Sequence, residues 1–327
     1  MVLLLEVGFR FLPVSTATDT GYHVHPRILT YPPFHRFTLA TGWDLKNPQV
    51  HVANNYGFLA GRAFAFEPAA IALIGDSFVE ANMLPLEQRL ASQLESRLAG
   101  RPVYAMGGPG SSLLDYAERA EFAARQFGIR RFVIVLERGD IRQALCGSGN
   151  VHGPCMDPVS VRQRVELQPA PGLFKRVARE SALAQYVFSQ LKFSSAKFFE
   201  NLIRFPNVDQ AHFGGPAQPA ATFFEPVIRA FFERLATIDG GSFVLVIDAD
   251  RGNLQGGRPA TFPELGLFAE IAQAHGAIVV DPTARFRNFV SKTSKILEVG
   301  PYDRHWNPNA VQLVAADIAE QAPADWR

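Results

Sequence analysis

Residues 69–78 read AAIALIGDSF, an apolar run that ends abruptly in a glycine, an aspartate and a serine. A short continuous apolar run bounded by turn residues is typical of a strand that is buried on both faces of a parallel sheet. Four more such runs occur along the chain. The five predicted strands are Ala69–Ile74, Pro102–Met106, Arg131–Leu136, Ser242–Ile247 and Ala277–Val280.

Helical patterns separate the first three predicted strands. Apolar residues recur at helical spacing over Leu86–Leu98 and again over Leu113–Phe127. A last helix is predicted after Asn307, a good N-cap residue, with Pro308 in its first position. Strands and helices that alternate at this spacing indicate right-handed βαβ units. The sequence therefore predicts an α/β protein with a doubly wound parallel sheet.

The third and fourth predicted strands are separated by roughly a hundred residues, far more than one crossover needs. We expect one domain over residues 66–327 with an insertion at about 143–240, preceded by an irregular segment, 1–65, with a few strands that pack on the core. The insertion contains two predicted helices, near Val177–Phe205 and Thr222–Ile238. We expect these helices to pack on the sheet or on each other. A cap over a substrate groove, or a surface for a membrane or partner, is the alternative. The residues that share a helix face are Phe198, Leu202 and Phe205 in the first helix, and Phe224, Ile228, Phe231 and Leu235 in the second.

Charge is nearly balanced along the chain. Its 327 residues include 32 Lys and Arg against 31 Asp and Glu, for a net charge of +1. No run of like charge offsets this balance, so the composition argues against a nucleic-acid partner. Hydrophobic residues make up 47% and charged residues 19%, which excludes a disordered chain. Aromatic usage is uneven, because 27 phenylalanines stand against 7 tyrosines and 3 tryptophans, and much of the phenylalanine falls in the predicted insertion.

Cys146 and Cys155 bound the loop-like stretch CGSGNVHGPC. Two cysteines are too few for a disulfide-built fold, and they lack the Cys and His partners of a zinc site. The glycines and proline between them would let the two ends meet, so a disulfide is one interpretation and two buried thiols are the other. A disulfide favours an extracytoplasmic protein, periplasmic or membrane-associated, whereas free thiols favour the cytoplasm.

The first residues, MVLLLEVGFRFLPV, are apolar but are interrupted by Glu6 and Arg10. A membrane-spanning helix needs about 20 apolar residues, and a signal peptide needs a basic start before its apolar stretch. Neither is predicted here. The stretch is either the stub of a membrane anchor or leader, which would give membrane association through the N-terminus, or a buried strand or helix turn.

Polar residues that follow the predicted strands carry the candidate chemistry, because ligands of doubly wound folds bind beyond the carboxyl ends of the strands. Ser77 follows the first strand, where backbone N–H groups of the next helix can stabilise negative charge, so it is either a nucleophile or a helix cap. The second strand ends in GGPGSS, residues 107–112, whose glycines let an N–H approach a ligand as an oxyanion hole requires. A dinucleotide-binding loop with the pattern G-x-G-x-x-G is not predicted, because Leu113 stands where the last glycine is required.

The stretch DRHWNP, residues 303–308, lies directly before the last predicted helix. Asp303 and His305 fall on the same side of an extended backbone, so the carboxylate can orient the imidazole of a general base.

These three stretches, in this order, resemble the sequence blocks of the SGNH hydrolases, also called the GDSL esterase and lipase superfamily. The resemblance covers about 69–142 and 243–319, and it implies a flavodoxin-like three-layer α/β/α sandwich with a five-stranded parallel sheet. It implies Ser77 as nucleophile, His305 as general base and Asp303 as its orienting acid. The backbone N–H groups of Ser77 and Gly110 would stabilise the oxyanion. The D-x-H-W-N form is similar to the branch that includes polysaccharide O-acetyltransferases.

One block departs from the family pattern. The third block of the family places an asparagine, whose side chain is an oxyanion donor, where this chain has Gly139. Loss of one such donor costs on the order of 100-fold or more in rate. Arg138 or Asn82 could substitute for it. Asp76 and Trp306 are the other expected neighbours of the site.

The sequence therefore predicts a serine-dependent ester hydrolase or O-acyltransferase without a metal or cofactor. Acetyl on a carbohydrate is the acyl group that the resemblance implies, and the near-zero net charge fits a neutral sugar or ester better than a polyanion. A catalytically weakened protein of the same fold, which binds polysaccharide or a membrane partner, is the alternative that Gly139 favours. His23 and His25 alternate like strand neighbours but lack a third metal ligand. The carboxylates of Asp248 and Asp250 could do glycosidase work, although a polar strand end near the site is the preferred interpretation.

Overall fold

The computed structural model describes residues 1–16, 18–148, 153–191, 220–254, 256, 262–300 and 303–327. Its strands are β1 (Gly21–His25), β2 (Ile28–Thr30), β3 (Arg36–Thr41), β4 (Lys46–Val52), β5 (Ile71–Gly75), β6 (Val103–Gly107), β7 (Arg131–Leu136), β8 (Pro154–Met156), β9 (Gln163–Val165), β10 (Ser242–Ile247), β11 (Ile278–Val280), β12 (Glu298–Gly300) and β13 (Asp303–Trp306). Its α-helices are α1 (Val2–Arg10), α2 (Ser77–Glu80), α3 (Leu90–Arg97), α4 (Leu113–Phe127), α5 (Asp140–Gln143), α6 (Leu173–Glu180), α7 (Ala182–Gln185), α8 (Glu225–Ala236), α9 (Arg251–Leu254), α10 (Glu264–Ala274), α11 (Thr283–Thr293) and α12 (Pro308–Gln321). Tyr186–Gln190 form a π-helical turn, and Leu86–Gln88, Ala221–Phe224 and Ala324–Trp326 form 3₁₀ turns.

The five strands predicted from apolar runs form one parallel sheet in the order β6-β5-β7-β10-β11. In sequence terms this is the order second, first, third, fourth and fifth, which is the flavodoxin-like arrangement. β7 and β10 have the predicted bounds, and the other three strands differ from the prediction by one or two residues at their ends. The predicted α/β fold with a five-stranded parallel sheet is confirmed.

Two apolar layers cover the faces of this sheet, as the alternation of side chains along its strands requires. Ala72 and Ile74 of β5 face a layer built from α4, α8 and α10. Ile71 and Leu73 face the opposite layer, built from α3, α11 and α12. The sheet and the two layers make a three-layer sandwich. The phenylalanines are concentrated in the first layer, whose buried members are Phe58, Phe64, Phe122, Phe127, Phe132, Phe224, Phe231, Phe232 and Phe268.

Local capping explains why several predicted helices have their predicted bounds. Helix α4 begins at a capping box of Ser112 and Asp115 and ends at Gly128, whose φ of 72° ends a helix without strain. The Asn307 side chain accepts a hydrogen bond from the Ala310 N–H, which starts α12 as predicted. The predicted packing of the second insertion helix is also confirmed, because Phe224, Ile228, Phe231 and Leu235 are all buried.

Three predicted helices have different bounds in the structure. The second insertion helix, predicted near Thr222–Ile238, starts as a 3₁₀ turn over Ala221–Phe224 and continues as α8 over Glu225–Ala236. The stretch predicted over Leu86–Leu98 starts as a 3₁₀ turn, and α3 begins only at Leu90 because Arg89 takes an extended conformation. The long helical stretch predicted near Val177–Phe205 is helical in its described part, but it is divided into the end of α6, helix α7 and the π-helical turn. Its backbone turns extended at Ser181, whose side chain caps the separate helix α7. Phe198, Leu202 and Phe205 lie outside the described residues.

The first 65 residues contain one helix and two β-hairpins, β1-β2 and β3-β4. The hairpins fit the expected few strands. Of the two interpretations of the start of the chain, the buried strand or helix turn is wrong, because α1 is a helix without a buried residue. None of the helices in the described part of the chain is both long and apolar enough to cross a membrane.

Cys146 and Cys155 form a disulfide, so the interpretation as two buried thiols is wrong. The bridge closes the loop between α5 and β8, and Cys146 N–H also donates to the Met156 carbonyl at 2.9 Å. A short covalent loop of this kind limits the conformations of the unfolded chain.

Reduction of this disulfide is expected to lower the free energy of unfolding by about 2–3 kcal/mol, because the bridge spans a sequence separation of 9 residues. Urea unfolding with and without reductant measures the difference, and a Cys146→Ser/Cys155→Ser variant should match the reduced protein. Two free thiols in the denatured, unreduced chain would contradict the assignment.

Candidate active site

Ser77 lies at the turn between β5 and α2, where the strand ends at Gly75. Asp76 caps the short helix, since its carboxylate accepts a hydrogen bond from the Phe78 N–H at 2.8 Å. The partly exposed Ser77 is then the first helical residue. Gly107, on the neighbouring strand β6, lets α2 lie directly against the sheet, because a Cβ there would overlap with the backbone of Glu80. The turn therefore holds the Ser77 hydroxyl at the carboxyl edge of the sheet.

His305 and Asp303 approach Ser77 from the β12-β13 hairpin. As predicted from the extended backbone, their side chains lie on the same side of β13. The Asp303 carboxylate accepts a hydrogen bond from the His305 backbone N–H at 3.0 Å and lies 2.6 Å from His305 Nδ1. His305 Nε2 lies 2.8 Å from Ser77 Oγ. The fold thus joins three side chains in a row across a sequence separation of 228 residues.

This row has the geometry that activates a serine. With the Nδ1 proton directed to Asp303, Nε2 of His305 is left as the acceptor for the Ser77 hydroxyl proton. The side chains of His305 and Asp303 are 28% and 31% exposed, so the row is open to a molecule from solution. Such an arrangement can form a covalent intermediate with a carbonyl compound.

The glycine loop after β6 supplies the backbone beside Ser77. Gly108 N–H donates to the Gly75 carbonyl at 3.2 Å, which ties the loop to the end of β5. Gly110 has a φ of 71°, a value that glycine adopts without strain. Among the described residues, neither the Ser77 N–H nor the Gly110 N–H donates a hydrogen bond to a protein acceptor. Both predicted oxyanion donors are therefore available.

The other predicted oxyanion donors have partners elsewhere. Asn82 donates to the Glu80 carboxylate at 2.7 Å, and Arg138 pairs with Asp250 at 2.9 Å. The N–H of Gly139 donates to the Glu137 carboxylate at 2.6 Å. In the described part of the chain, these contacts direct the Asn82 and Arg138 side chains to carboxylates.

Arg119, which was not predicted from the sequence, ties the glycine loop after β6 to the end of β5. The side chain is buried in α4, and its guanidinium donates to the Gly75 carbonyl at 3.3 Å and to the Ser111 hydroxyl at 2.6 Å. Burial lowers the pKa of Arg119. One feature of the sequence could have pointed to Arg119. It lies on the same face of α4 as Tyr116 and Ala123, where an apolar side chain is expected.

The buried ion pair of Asp248 and Arg251 fixes the hairpin that carries His305; the sequence pointed to Asp248 but not to Arg251. Asp248, at the end of β10, accepts hydrogen bonds from Arg251 Nη2 at 2.8 Å and from the Trp306 indole at 2.7 Å. Arg251 also donates to the carbonyl of Arg304. Both chain neighbours of His305 are thereby tied to the end of β10. Trp306 is a buried anchor of the hairpin, and Asp248 is a polar strand end with assigned partners.

The predicted histidine pair lies away from this row. His25 contacts Phe122 and lies 3.9 Å from the Glu118 carboxylate, and burial lowers its pKa. His23 Nε2 is within 3.1 Å of the Asp19 carbonyl.

Three carboxyl groups near the end of β5 and β7 interact with one another: Asp76 and Asp140, which are buried, and Glu137, which is partly exposed. Burial raises the pKa of Asp76 to about 6, and burial with the neighbouring charges of Asp76 and Glu137 raises the pKa of Asp140 well above its usual range. One Asp140 oxygen accepts from the Tyr116 hydroxyl and from the Glu137 N–H, both at 2.7 Å. Among the described residues the other oxygen has no hydrogen-bond partner. The cluster therefore binds protons more tightly in the folded state than in the unfolded state.

An Asp140→Asn substitution is expected to reduce the loss of stability as pH rises. A carboxyl group whose folded pKa is raised contributes stability at low pH, and that contribution is lost as pH rises from the unfolded pKa, about 4, through the folded pKa. The amide oxygen can keep both hydrogen bonds without the charge. The free energy of unfolding of the variant minus that of wild type should be at least about 1 kcal/mol larger above about pH 6 than at pH 4. Urea unfolding across this range checks the prediction, with the exposed Asp239→Asn as control. Parallel pH profiles for Asp140→Asn and wild type would contradict it.

Fold and site together define an α/β protein of flavodoxin-like topology with a hydrogen-bonded Ser-His-Asp row at the carboxyl edge of its sheet. No family model and no curated protein matches the chain. Several solved structures are similar to it. They include a member of the lipolytic G-D-S-L family from Veillonella parvula (12% identity, TM-score 0.42, 77% of this chain and 96% of that chain), the lipase/acylhydrolase from Enterococcus faecalis (12%, 0.41, 77% and 93%) and an acetylxylan esterase from Geobacillus stearothermophilus (14%, 0.43, 80% and 96%).

Proposed function

We propose that this protein is a serine-dependent ester hydrolase or acyltransferase of the SGNH type. The observation that carries the proposal is the row from Ser77 Oγ to His305 Nε2 at 2.8 Å and from His305 Nδ1 to Asp303 at 2.6 Å. A serine used only as a helix cap does not require a histidine and a carboxylate in line with its hydroxyl. In this turn the cap is Asp76, which leaves the Ser77 hydroxyl for chemistry.

In the first half of the proposed reaction, Ser77 Oγ forms a bond to the ester carbonyl carbon while its proton moves to His305 Nε2. Asp303 stabilises the resulting imidazolium. The bond to the alcohol oxygen then breaks, and His305 returns the proton to the leaving alcohol. In the second half, water or an acceptor hydroxyl bonds to the acyl carbon while its proton moves to His305. The bond from that carbon to Ser77 Oγ then breaks, and His305 returns the proton to Ser77.

The backbone N–H groups of Ser77 and Gly110 are the proposed oxyanion donors, since neither has a protein acceptor in the described structure. At Gly139 there is no side chain to supply a third donor. An oxyanion hole with two donors instead of three supports a slow enzyme, because removal of one donor lowers kcat by about 10²–10³-fold. This same observation favours the second candidate function, a weakened protein that binds polysaccharide or a membrane partner without turnover.

We propose an acetyl ester on a carbohydrate as the substrate class. The resemblance of residues 303–308 to the D-x-H-W-N form supports it, and so does a net charge of +1, which fits a neutral sugar. The disulfide between Cys146 and Cys155 supports an extracytoplasmic location, because such bridges persist in oxidising compartments.

Trapping of the acetyl-enzyme tests this function. The protein is mixed with p-nitrophenyl acetate and quenched in acid, and the peptide that contains Ser77 should gain the mass of one acetyl group. An oligosaccharide added before the quench then separates the two chemistries, since acetyl on the sugar indicates a transferase and free acetate a hydrolase. Absence of the acetyl-enzyme, with p-nitrophenol released no faster than by Ser77→Ala, would overturn the proposal. Polysaccharide binding without turnover would then favour the second candidate.

An Arg251→Gln substitution is expected to lower kcat for p-nitrophenyl acetate by about 10–100-fold with a small change in KM. It releases the hairpin that positions His305, and a misplacement of about 1 Å costs about 10² in rate. It also leaves the buried Asp248 without its cation, which should destabilise the fold by about 3–5 kcal/mol. Steady-state kinetics well below the melting temperature and thermal unfolding measure the two effects, and the exposed Arg287→Gln serves as control. An unchanged kcat in a folded variant would contradict the positioning role.

A further inference from the structure

Ser111 follows Gly110, one of the proposed oxyanion donors, and its backbone and hydroxyl have assigned partners. Its N–H donates to the Gly108 carbonyl at 3.2 Å, and its hydroxyl accepts a hydrogen bond from the Arg119 guanidinium at 2.6 Å. Its carbonyl accepts from the Tyr116 hydroxyl at 3.1 Å and has no other donor among the described residues. Ser111 and Tyr116 are both buried. The position of the Gly110 N–H therefore depends on the contacts of the residue that follows it.

The Tyr116 hydroxyl has two oxygen neighbours and one hydrogen to donate. It lies 3.1 Å from the Ser111 carbonyl and 2.7 Å from the Asp140 carboxyl group. If Asp140 is ionised, its carboxylate can only accept, so it takes the Tyr116 hydrogen and the Ser111 carbonyl loses its donor. If Asp140 is protonated, its O–H donates to Tyr116, and Tyr116 donates to Ser111. The protonation of Asp140 thus decides whether the Ser111 carbonyl is bonded.

The surroundings of Asp140 favour the protonated form. Asp140 is fully buried, and among the described residues one of its oxygens has no hydrogen-bond partner. A carboxylate there would leave a charged oxygen buried and unpaired, which is costly. The titratable groups that face it are Asp76 before α2, Glu137 after β7 and Tyr116 on α4, while Arg119, also on α4, faces Tyr116 and Asp76. Burial and the charges of Asp76 and Glu137 raise the pKa of Asp140 well above its usual range.

We propose that Tyr116 and a protonated Asp140 are positioning residues for the oxyanion donor at Gly110. A chain of hydrogen bonds runs from the Asp140 O–H through the Tyr116 hydroxyl to the Ser111 carbonyl and fixes the glycine loop. When Asp140 releases its proton to water, Tyr116 turns its hydrogen to the carboxylate and the loop loses this contact. Arg119 cannot respond to pH in the same way, because a guanidinium stays charged. The inference rests on the proposed function of Ser77 and adds control of its rate by pH.

The dependence of kcat for p-nitrophenyl acetate on pH, from about pH 6 to 10, tests the inference. Tyr116→Phe removes the hydroxyl and should lower kcat near neutral pH by about 10–100-fold with a small change in KM, because a displaced donor weakens the transition state more than the bound ester. Wild-type kcat should decline towards the value of this variant at alkaline pH, and the variant should show no such decline. The matched control, Tyr56→Phe, removes a hydroxyl bonded to the exposed Gln126 at 3.0 Å and should keep the wild-type profile.

Asp140→Asn tests the same chain of hydrogen bonds without removing the tyrosine, in case Tyr116→Phe does not fold. Its amide oxygen accepts from the Glu137 N–H and takes the Tyr116 hydrogen at every pH. Near neutral pH this variant should therefore have the low kcat that wild type reaches only at alkaline pH. Thermal unfolding shows which variants are folded at the assay temperature.

Three results would overturn this inference while Ser77 is still acetylated. They are a wild-type kcat in folded Tyr116→Phe, a wild-type profile in folded Asp140→Asn, and a wild-type kcat that stays level to about pH 10. A wild-type protein without turnover that depends on Ser77 would overturn the proposed function, and the inference with it.

Discussion

Replacement of Ser77 by alanine is expected to lower kcat for p-nitrophenyl acetate by about 10⁴–10⁶-fold, to a rate near the uncatalysed background. The substitution removes the atom that forms the acyl-enzyme. Among the described residues, its hydroxyl contacts His305 at 2.8 Å and, marginally, Asp76 at 3.5 Å, so the fold should not depend on it. The melting temperature should therefore stay within a few degrees of wild type.

Steady-state kinetics and thermal unfolding on the same protein preparation check this result. Ser96→Ala, an exposed serine in α3, is the matched control and should keep the wild-type kcat. A Ser77→Ala variant with more than about a tenth of the wild-type rate would show that another group performs the chemistry.

Loss of the histidine or of its carboxylate is expected to have an effect nearly as large. His305→Gln removes the base that accepts the Ser77 proton and should lower kcat by about as much as Ser77→Ala, because residues of such a row act as a unit. Asp303→Asn keeps the size of the side chain but favours the wrong imidazole tautomer, and about 10⁴-fold is expected. The exposed Asp239→Asn is the matched control.

A Ser77→Ala/His305→Gln double variant tests the coupling between the two residues. Its rate should equal that of either single variant, since removal of one member already removes the function of the other. Losses that multiply would indicate that Ser77 and His305 act separately. A wild-type rate for Asp303→Asn would show that Asp303 does not orient the base.

The parts of the fold that could be predicted are those decided by local pattern. Ser242–Ile247 is predicted with its observed bounds because a strand buried on both faces is an apolar run bounded by turn residues. Helix α4 is predicted because its capping box and its terminal Gly128 are adjacent in sequence to its apolar stripe. The approach of Ser77 to His305 was expected from the resemblance to the SGNH blocks and not from the strand pattern, because His305 lies on the β12-β13 hairpin, outside the parallel sheet.

What could not be predicted depends on partners that are distant in sequence. In the sequence, Asp248 and Arg251 look like an ordinary surface pair. Their role depends on the carbonyl of Arg304, 53 residues further along the chain, which accepts a hydrogen bond from Arg251. Arg119 is similar, because its role depends on the position of the Gly75 carbonyl, 44 residues earlier. The composition of α1 allowed either a buried element or the stub of a membrane anchor, and the contacts of Glu6 with the start of α7 show that its apolar face points outward.

The phenylalanine excess is likewise explained by tertiary structure. In the sequence, much of the phenylalanine falls in the insertion, whose helices were expected to pack on the sheet or on each other, with a cap or a partner surface as the alternative. In the fold, the second helix of the insertion packs with α4 and α10 against one face of the sheet, and its phenylalanines join those of the other elements in one apolar layer.

Labelling with a fluorophosphonate probe, followed by peptide mass mapping, tests the central claim most directly, because the probe reacts only with a serine that a neighbouring base has activated. The account predicts one probe per chain, attached to Ser77, with no labelling of Ser77→Ala and labelling slowed by about 10²-fold or more in His305→Gln. Folded wild-type protein that stays unlabelled, or a probe attached to a residue other than Ser77, would contradict it.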